Sequence, residues 1–351
     1  MNKVKDKKET LTKKSKIINK NKVKQEHERI YYFDNLKFLL ILLVVIGHCV
    51  ESVVNSSIYA KSIFIFIYTF HMPLFVFISG FFAKNSIKNN NKNKIVQYFI
   101  LYISLYFFTE VINCIKTGVL SFSLFTTSAI QWYLLATCLW YIVSILTKNM
   151  NKKYLLIFSI FISLIIGYDK SINDFLVLSR TIVYYPFFLL GLMSNKEQIF
   201  KITDNKKNKY ISILILIIYI FICIFLIDYI YKFRPLFTGR NPYSVLNSYE
   251  SFGLFFRIIT YIISFIIGLC IMCIVPNKKI SISKLGSRTF AVYFLHNLII
   301  KTIFLFDIKF KLYQLIIIGV LITFILSFKI FSKPFDMFLK VNFFNKNDDV
   351  C

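Results

Sequence analysis

Long apolar runs recur along almost the whole sequence and constrain its fold more than any other feature. Each run has about 18–24 residues, enough to cross the hydrocarbon core of a bilayer as one helix. The chain is 57% hydrophobic, whereas soluble domains average about 45–50%. Backbone polar groups in lipid must be satisfied within their own segment, which favours helices. The sequence therefore predicts an all-α, polytopic integral membrane protein.

About ten transmembrane helices are predicted. They lie near residues 34–54, 60–83, 95–115, 130–147, 154–168, 175–194, 210–231, 253–275, 287–306 and 311–332. The fifth run is short, so nine or eleven helices are alternatives. One membrane domain is predicted over residues 31–334, between a basic, disordered cytoplasmic tail (1–30) and a short cytoplasmic tail (335–351). The first apolar run is too long for a signal-peptide core, so we expect no cleavable signal peptide.

Positive charge is concentrated in the N-terminal tail and in alternate loops. The net charge is +26, and residues 1–29 hold ten lysines and Arg29. The loops after the even-numbered spans are also lysine-rich, near residues 84–94, 148–153, 196–209 and 278–284. The positive-inside rule then predicts a multi-pass protein of the cell membrane with both termini in the cytoplasm. This distribution indicates anionic lipid, and not nucleic acid, as the partner of the basic segments.

The long predicted outer loop, near residues 232–252, departs from this pattern. It carries Lys232, Arg234 and Arg240 on the side where lysines are otherwise sparse. Long loops contribute less to the positive-inside rule, so the predicted orientation stands. The alternative is that this loop lines a binding surface.

The seven cysteines predict neither a disulfide framework nor a metal site. Most lie inside apolar runs, where cysteine behaves as a small hydrophobe. Cys270 and Cys273 form a CxxC pair, but no second pair or nearby histidine completes a set of metal ligands. We therefore predict no bound metal or cofactor.

The first span carries four ionisable residues at helical spacing. Lys37 and His48 are eleven residues apart, which places them on one helix face with about 16 Å of rise between them. Asp34 precedes Lys37 by three residues and Glu51 follows His48 by three, so each pair can interact. This pattern suits acyl transfer from a cytoplasmic thioester, in which the cation binds donor phosphates and a neutral histidine accepts the hydroxyl proton. A packing histidine with a snorkelling lysine is the alternative.

Ionisable residues in other spans are functional candidates because burying them in lipid is costly. His71 lies in the second span, and we predict that it assists catalysis. Arg180, in the sixth span, either snorkels or faces a polar cavity. Arg288 and His296 lie in the ninth span, where Arg288 is alternatively an anchor at the inner edge. Trp132, at the start of the fourth span, is predicted as an interfacial anchor.

Four short blocks stand out between residues 31 and 306. They are Asp34-Asn35-Leu36-Lys37 with Gly47-His48; Phe70-His71-Met72-Pro73-Leu74-Phe75 with Ser79-Gly80-Phe81; Trp132-Tyr133-Leu134; and Gly286 to His296. In this order they resemble the membrane acyltransferase family 3, and within it the fucose 4-O-acetylase-like and related sugar O-acetyltransferases. The first two blocks together are quite specific, whereas the later two are weak alone.

The resemblance implies about ten helices, acetyl-CoA as the donor co-substrate, and an acceptor hydroxyl on an envelope polysaccharide, glycolipid or exported sugar. His48 matches the essential first-helix histidine of the family. Lys37 stands where many members have arginine, although lysine cannot make arginine's planar two-pronged contact. Many members also carry an arginine-rich motif at the start of the third helix. In this chain only Lys94 retains a positive charge at that motif. The predicted donor- and substrate-binding residues are Asp34, Lys37, Lys94, Arg180, Arg288 and His296.

The predicted function is therefore a membrane-bound O-acyltransferase with His48, Glu51 and His71 as catalytic residues. A transporter or flippase for a lipid-linked sugar is the first alternative, but the internal repeat expected of many transporters is not visible. A non-catalytic membrane scaffold is the second alternative. It would not need an aligned face of Lys37, His48 and Glu51.

Overall fold

The computed structural model describes residues 31–344 except 121–122, 124–125, 127–129 and 173. The α-helices in this part are α1 (Tyr31–Glu51), α2 (Ile58–Lys88), α3 (Lys92–Thr117), α4 (Trp132–Leu146), α5 (Lys152–Ile165), α6 (Leu178–Met193), α7 (Lys196–Thr203), α8 (Lys206–Phe225), α9 (Ile227–Ile230), α10 (Arg234–Thr238), α11 (Gly253–Ile274), α12 (Ser283–Gly286), α13 (Thr289–Phe304), α14 (Leu312–Leu326) and α15 (Lys329–Phe338). Short 3₁₀ helices cover Ile166–Tyr168, Tyr231–Phe233 and Tyr243–Phe252. Within the described residues there is no β-strand, and one isolated bridge pairs Thr126 with Phe175. The all-α prediction is confirmed.

Several helices have the length and composition of membrane spans. Five segments qualify: α1, α2, α3, α8 and the stretch Tyr243–Ile274 that contains α11. The pair α14 and α15, bent by 59° where they meet, makes a sixth if it is one span, and α4, α6 and α13 are shorter apolar helices. Each of the ten predicted spans coincides with a helix, including the 14-residue α5 at the fifth. The all-α, membrane-like character is therefore clear, while the count of ten crossings stays a prediction.

Helix α1 lies at the centre of the fold, packed against α2, α12, α13 and α14. Its start is fixed by Asn35, whose side-chain nitrogen donates to the carbonyls of Pro276 and Lys278, each at 2.9 Å. Ser283 donates its hydroxyl to the Asn35 side-chain oxygen at 2.6 Å. These bonds satisfy a buried amide and hold α1 against the segment that leads into α12. Asn35 thus fixes the position of the helix that carries Lys37 and His48.

Helices α2 and α6 pack with their backbones almost in contact. A β-carbon on Gly80 would overlap the carbonyl of Phe188, and one on Gly191 would overlap the carbonyl of Phe77. Glycine is the residue that permits such an approach between helices in a membrane protein. Gly80 and Gly191 therefore permit the close contact of α2 and α6, and α2 runs through Pro73 as one continuous helix. This contact fixes His71 on α2 relative to Arg180 on α6.

Only some of the predicted domain limits fall on described residues, and the division into domains stays a prediction. Residue 334, the predicted end of the membrane domain, lies inside α15 (Lys329–Phe338). The side chain of Gln97 donates to the carbonyls of Leu339 and Val341 at 3.1 and 2.8 Å, so the chain beyond α15 is tied to α3. The predicted basic tail, residues 1–30, and residues 345–351 of the predicted C-terminal tail lie outside the described residues.

Candidate active site

Two cavities meet at His48 on α1. The first, which we call the apolar chamber, has a volume of about 300 Å³ and extends along α1 from Lys37 to His48. Aromatic and aliphatic side chains form most of its wall, among them Phe75, Phe82 and Tyr133. Lys37 and His48, which are predicted to share one face of the helix, thus line the same cavity.

The second cavity, which we call the polar chamber, has a volume of about 610 Å³. Its charged and imidazole-bearing wall residues are His48, Glu51, His71, Arg180, Arg234, Arg240 and Lys301. His48, Met72, Ile130 and Trp132 line both chambers. A group at His48 is therefore reached from an apolar space on one side and from a polar, mainly cationic space on the other.

Glu51 connects His48 to the loop region beyond α8. A Glu51 oxygen lies 3.6 Å from Nδ1 of His48, and the other accepts a hydrogen bond from Arg234 at 2.9 Å. Arg234 is itself held over the ring of Phe64, 4.4 Å from its centroid. A carboxylate beside Nδ1 favours the tautomer with the proton on Nδ1, which leaves the lone pair on Nε2. The predicted pairing of His48 with Glu51 is present, and Arg234 adds a cation that the sequence did not link to it.

His71 and His296 flank His48 from two other helices. Nδ1 of His71 lies 2.8 Å from the carbonyl of Ile67, and Nδ1 of His296 lies 2.8 Å from the carbonyl of Tyr293. A carbonyl only accepts, so the proton of each ring is on Nδ1 and the Nε2 lone pair is available. His71 lines the polar chamber, and His296 lines the apolar chamber with its ring centroid 5.4 Å from that of His48. The structure therefore brings the three predicted intramembrane histidines together.

Lys37 lies at the opposite end of the apolar chamber from His48. Its ammonium is 3.0 Å from a carboxylate oxygen of Asp34 and 5.4 Å from the ring centroid of Phe82. The Lys37 side chain is 24% exposed, whereas Asp34 is buried. The predicted Asp34–Lys37 pair is present, and it places a cation where the apolar chamber approaches the surface.

Arg180 faces the polar chamber. Its guanidinium lies over the ring of Trp132, 5.1 Å from the centroid, and 3.4 Å from a carboxylate oxygen of Asp174. Both Arg180 and Trp132 are buried, so Arg180 does not snorkel and Trp132 is not the interfacial anchor that its position suggested. Of the two alternatives for Arg180, the structure shows the one in which it faces a cavity.

Lys94 and Arg288 make contacts away from both chambers. Lys94 donates to the side chain of Gln97 at 2.9 Å and to the carbonyl of Leu339 at 3.3 Å. Arg288 donates to the carbonyl of Ser327 at 3.2 Å, although its neighbours Ser287 and Thr289 line the apolar chamber. The structure does not bring these two cations to the chamber walls, and their role in donor binding stays a prediction.

Several wall residues were not assigned to the site from the sequence. Tyr133 and Ser79 share a short hydrogen bond in the apolar chamber, and the hydroxyl of Tyr293 donates to the carbonyl of Ile130 at 2.6 Å. Lys301 follows His296 by five residues on α13 and lines the polar chamber. Each of these residues except Lys301 lies in or beside a sequence block singled out above, and that was the available signal. Part of the 232–252 loop lines a cavity, because Arg234 and Arg240 lie in the wall of the polar chamber. The alternative that this loop forms a binding surface stays a prediction.

Comparisons with known proteins identify the family of this chain. The nodulation protein NolL of Sinorhizobium fredii (strain NBRC 101917 / NGR234) is 28% identical over 241 residues, which cover 61% of this chain and 59% of that protein. The chain thus spans less than two thirds of that relative. No solved structure gives a significant match. The sequence profile of acyltransferase family 3, described as an acyltransferase domain, matches residues 30–331, which include both chambers and every predicted site residue; the chain belongs to this family.

Proposed function

We propose that this protein is a membrane-bound O-acyltransferase that moves an acetyl group from acetyl-CoA to a hydroxyl of a cell-envelope or exported carbohydrate. The observation that supports this most is the position of His48 on the wall of both chambers. A transferase that joins two substrates of different polarity needs its base where their binding spaces meet. Family membership supports acyl transfer, and the donor and acceptor are our proposal.

The apolar chamber is suited to the donor. Acyl-CoA has a thioester at one end of a long arm and phosphates at the other. Lys37 and His48 are separated by about 16 Å of helix rise, so Lys37 can bind phosphate while the thioester reaches His48. In the proposed orientation the protein lies in the cell membrane with both termini in the cytoplasm. The Lys37 end of α1 then faces the cytoplasm, where acyl-CoA is found. The apolar wall excludes water and so protects the thioester from hydrolysis.

The polar chamber is suited to the acceptor. Its wall offers hydrogen-bonding side chains beside His48, among them those of Tyr68, Thr238 and Asn241. Sugars are recognised through their hydroxyl groups, so such a wall can orient one hydroxyl toward Nε2 of His48. The chamber lies at the end of α1 that faces away from the cytoplasm in the proposed orientation.

The chemistry follows from these positions. Nε2 of His48 accepts the proton of the acceptor hydroxyl as its oxygen attacks the thioester carbonyl. A new C–O bond forms, the C–S bond breaks, and the proton on His48 passes to the departing thiolate of CoA. Glu51, 3.6 Å from Nδ1, stabilises the imidazolium that forms in between. We propose that His71, whose ring lines the polar chamber, helps to orient the acceptor hydroxyl.

The test is transfer of radiolabelled acetyl from acetyl-CoA into carbohydrate, using membranes that contain matched amounts of each variant. We expect label with the wild-type chain and with His27→Ala, which lies in the N-terminal tail, and loss of label with His48→Ala. Label that persists in His48→Ala contradicts His48 as the base. No label with the wild-type chain, together with movement of a lipid-linked sugar across the membrane, favours the flippase alternative.

A further inference from the structure

The polar chamber gathers cations from separate parts of the chain. Arg180 lies on α6, Arg234 on α10, Arg240 in the segment after α10, and Lys301 on α13. Arg234 and Arg240 come from one loop, whereas Arg180 and Lys301 come from two other helices, so the convergence of these three parts of the chain is a property of the packing. Arg180 and Lys301 lie in predicted membrane spans, where a cation is costly and marks a candidate functional site.

The carboxylates bonded to these cations do not match them in number. Asp174 pairs with two arginines. Arg240 donates through Nε to both carboxylate oxygens of Asp174, at 2.9 and 2.8 Å, and the guanidinium of Arg180 lies 3.4 Å from one of these oxygens. Glu51 pairs with Arg234 at 2.9 Å. Among the described residues, three arginines thus share these two carboxylates.

Lys301 is bonded to a neutral group. Its ammonium donates to the side-chain oxygen of Asn113 at 2.9 Å, and the nitrogen of the same amide donates to Glu110 at 3.2 Å. Glu110 therefore lies one amide away from Lys301. With Glu110 counted, the cations of the described polar chamber still outnumber the carboxylates around it.

This excess of positive charge lies in the same space as His48. A ligand that bears a carboxylate or a phosphate would offset it, and charge-assisted hydrogen bonds to arginine and lysine are the strong ones. We propose that the acceptor carries such an anionic group close to the hydroxyl that is acylated, and that the polar chamber binds this group while His48 takes the hydroxyl proton. This inference rests on the proposed acyltransferase function and names the class of its acceptor.

Binding of three probe sugars to the purified full-length chain tests the proposal. The probes are methyl β-D-glucuronide, glucose 6-phosphate and the neutral methyl β-D-glucoside, measured by calorimetry in detergent without acetyl-CoA, so that no turnover occurs. We expect at least one anionic probe to bind about tenfold or more tightly than the glucoside, as one charge-assisted hydrogen bond predicts. Tighter binding of the glucuronide indicates a carboxylate, and tighter binding of the phosphate indicates a phosphorylated acceptor.

Substitutions of Lys301 test whether the anionic group binds in the polar chamber. Lys301→Gln keeps a hydrogen-bond donor toward Asn113 but removes the charge, so it should reduce the anionic preference, and Lys301→Arg should retain it. Lys309→Gln makes the same charge change at an exposed position after α13 and should have no effect. Equal binding of the three probes, no binding of any of them, or an anionic preference that Lys301→Gln leaves unchanged would overturn the proposal.

Acetyl transfer measured in parallel separates the two proposals. Transfer without an anionic preference retains the acyltransferase function and overturns only the acceptor class. An anionic preference without transfer from acetyl-CoA retains the anion site and overturns the proposed function.

Discussion

The imidazole rings of His48 and His296 lie 5.4 Å apart between centroids, although 248 positions separate them in the sequence. His296 is fully buried, and its Nε2 has no hydrogen-bond partner among the described residues. An unpaired buried nitrogen is costly, so a native structure that keeps one invites an explanation. Its position beside the proposed base supplies one, because a neutral imidazole stabilises a neighbouring imidazolium.

We expect His296→Phe to lower kcat for acetyl transfer by about one to two orders of magnitude. Phenylalanine keeps a ring in the buried site but removes the nitrogen beside His48. The variant should retain the wild-type thermal midpoint in detergent. Full activity in this variant would show that His296 only fills space.

We expect Glu51→Gln to lower kcat by about one to three orders of magnitude, because the amide no longer stabilises a positive charge on His48. The matched control is Glu250→Gln, which alters a partly exposed carboxylate 3.6 Å from Lys170. The control should match the wild-type chain in the radiolabel assay. Equal effects of the two substitutions would rule out a specific role for Glu51.

We expect Lys37→Gln to raise KM for acetyl-CoA by about tenfold while kcat changes little, because in the proposed mechanism the lysine binds the donor and does not take part in bond making. The KM of the wild-type chain should rise with ionic strength more steeply than that of the variant. Lys88→Gln, at an exposed position at the end of α2, is the control and should leave KM unchanged. A fall in kcat alone would contradict the donor-binding role.

We expect Gly80→Ala to lower the free energy of unfolding by about 1–3 kcal/mol, because its methyl group would overlap the backbone of α6 at Phe188. Gly268→Ala, on α11, is the matched control, since no described atom lies within 4 Å of its added carbon. That control should be neutral or slightly stabilising, because alanine is the better helix former. Thermal unfolding in detergent checks both variants, and equal midpoints would contradict the close contact of α2 and α6.

Much of the helical architecture could be predicted from local sequence. The apolar runs located the helices because helix length and hydropathy depend on residues within one segment. The spacing of Asp34, Lys37, His48 and Glu51 gave their pairing along α1, since positions three or four apart on a helix are neighbours. These relationships are internal to one helix, and the structure shows each of them.

Contacts between helices could not be predicted in the same way. In a membrane span the face toward lipid and the face toward other helices are both apolar, so no amphipathic stripe marks the buried side. Lys94 and Arg288 are predicted to bind the donor, and this role stays a prediction; that they donate to the backbone carbonyls of Leu339 and Ser327 could not be read from their spacing in the sequence. Asn35 was noted only as part of a block, yet its amide fixes the start of α1.

The sequence by itself determined that the chain is a helical membrane protein with a histidine and a lysine on one face of its first helix. Tertiary structure alone decided that His71, His296 and Arg180 gather around His48, and that the space around His48 divides into an apolar and a polar chamber. The physical reason is that helix formation is set by bonds between residues four apart, whereas a cavity is set by how helices from distant parts of the chain pack against one another.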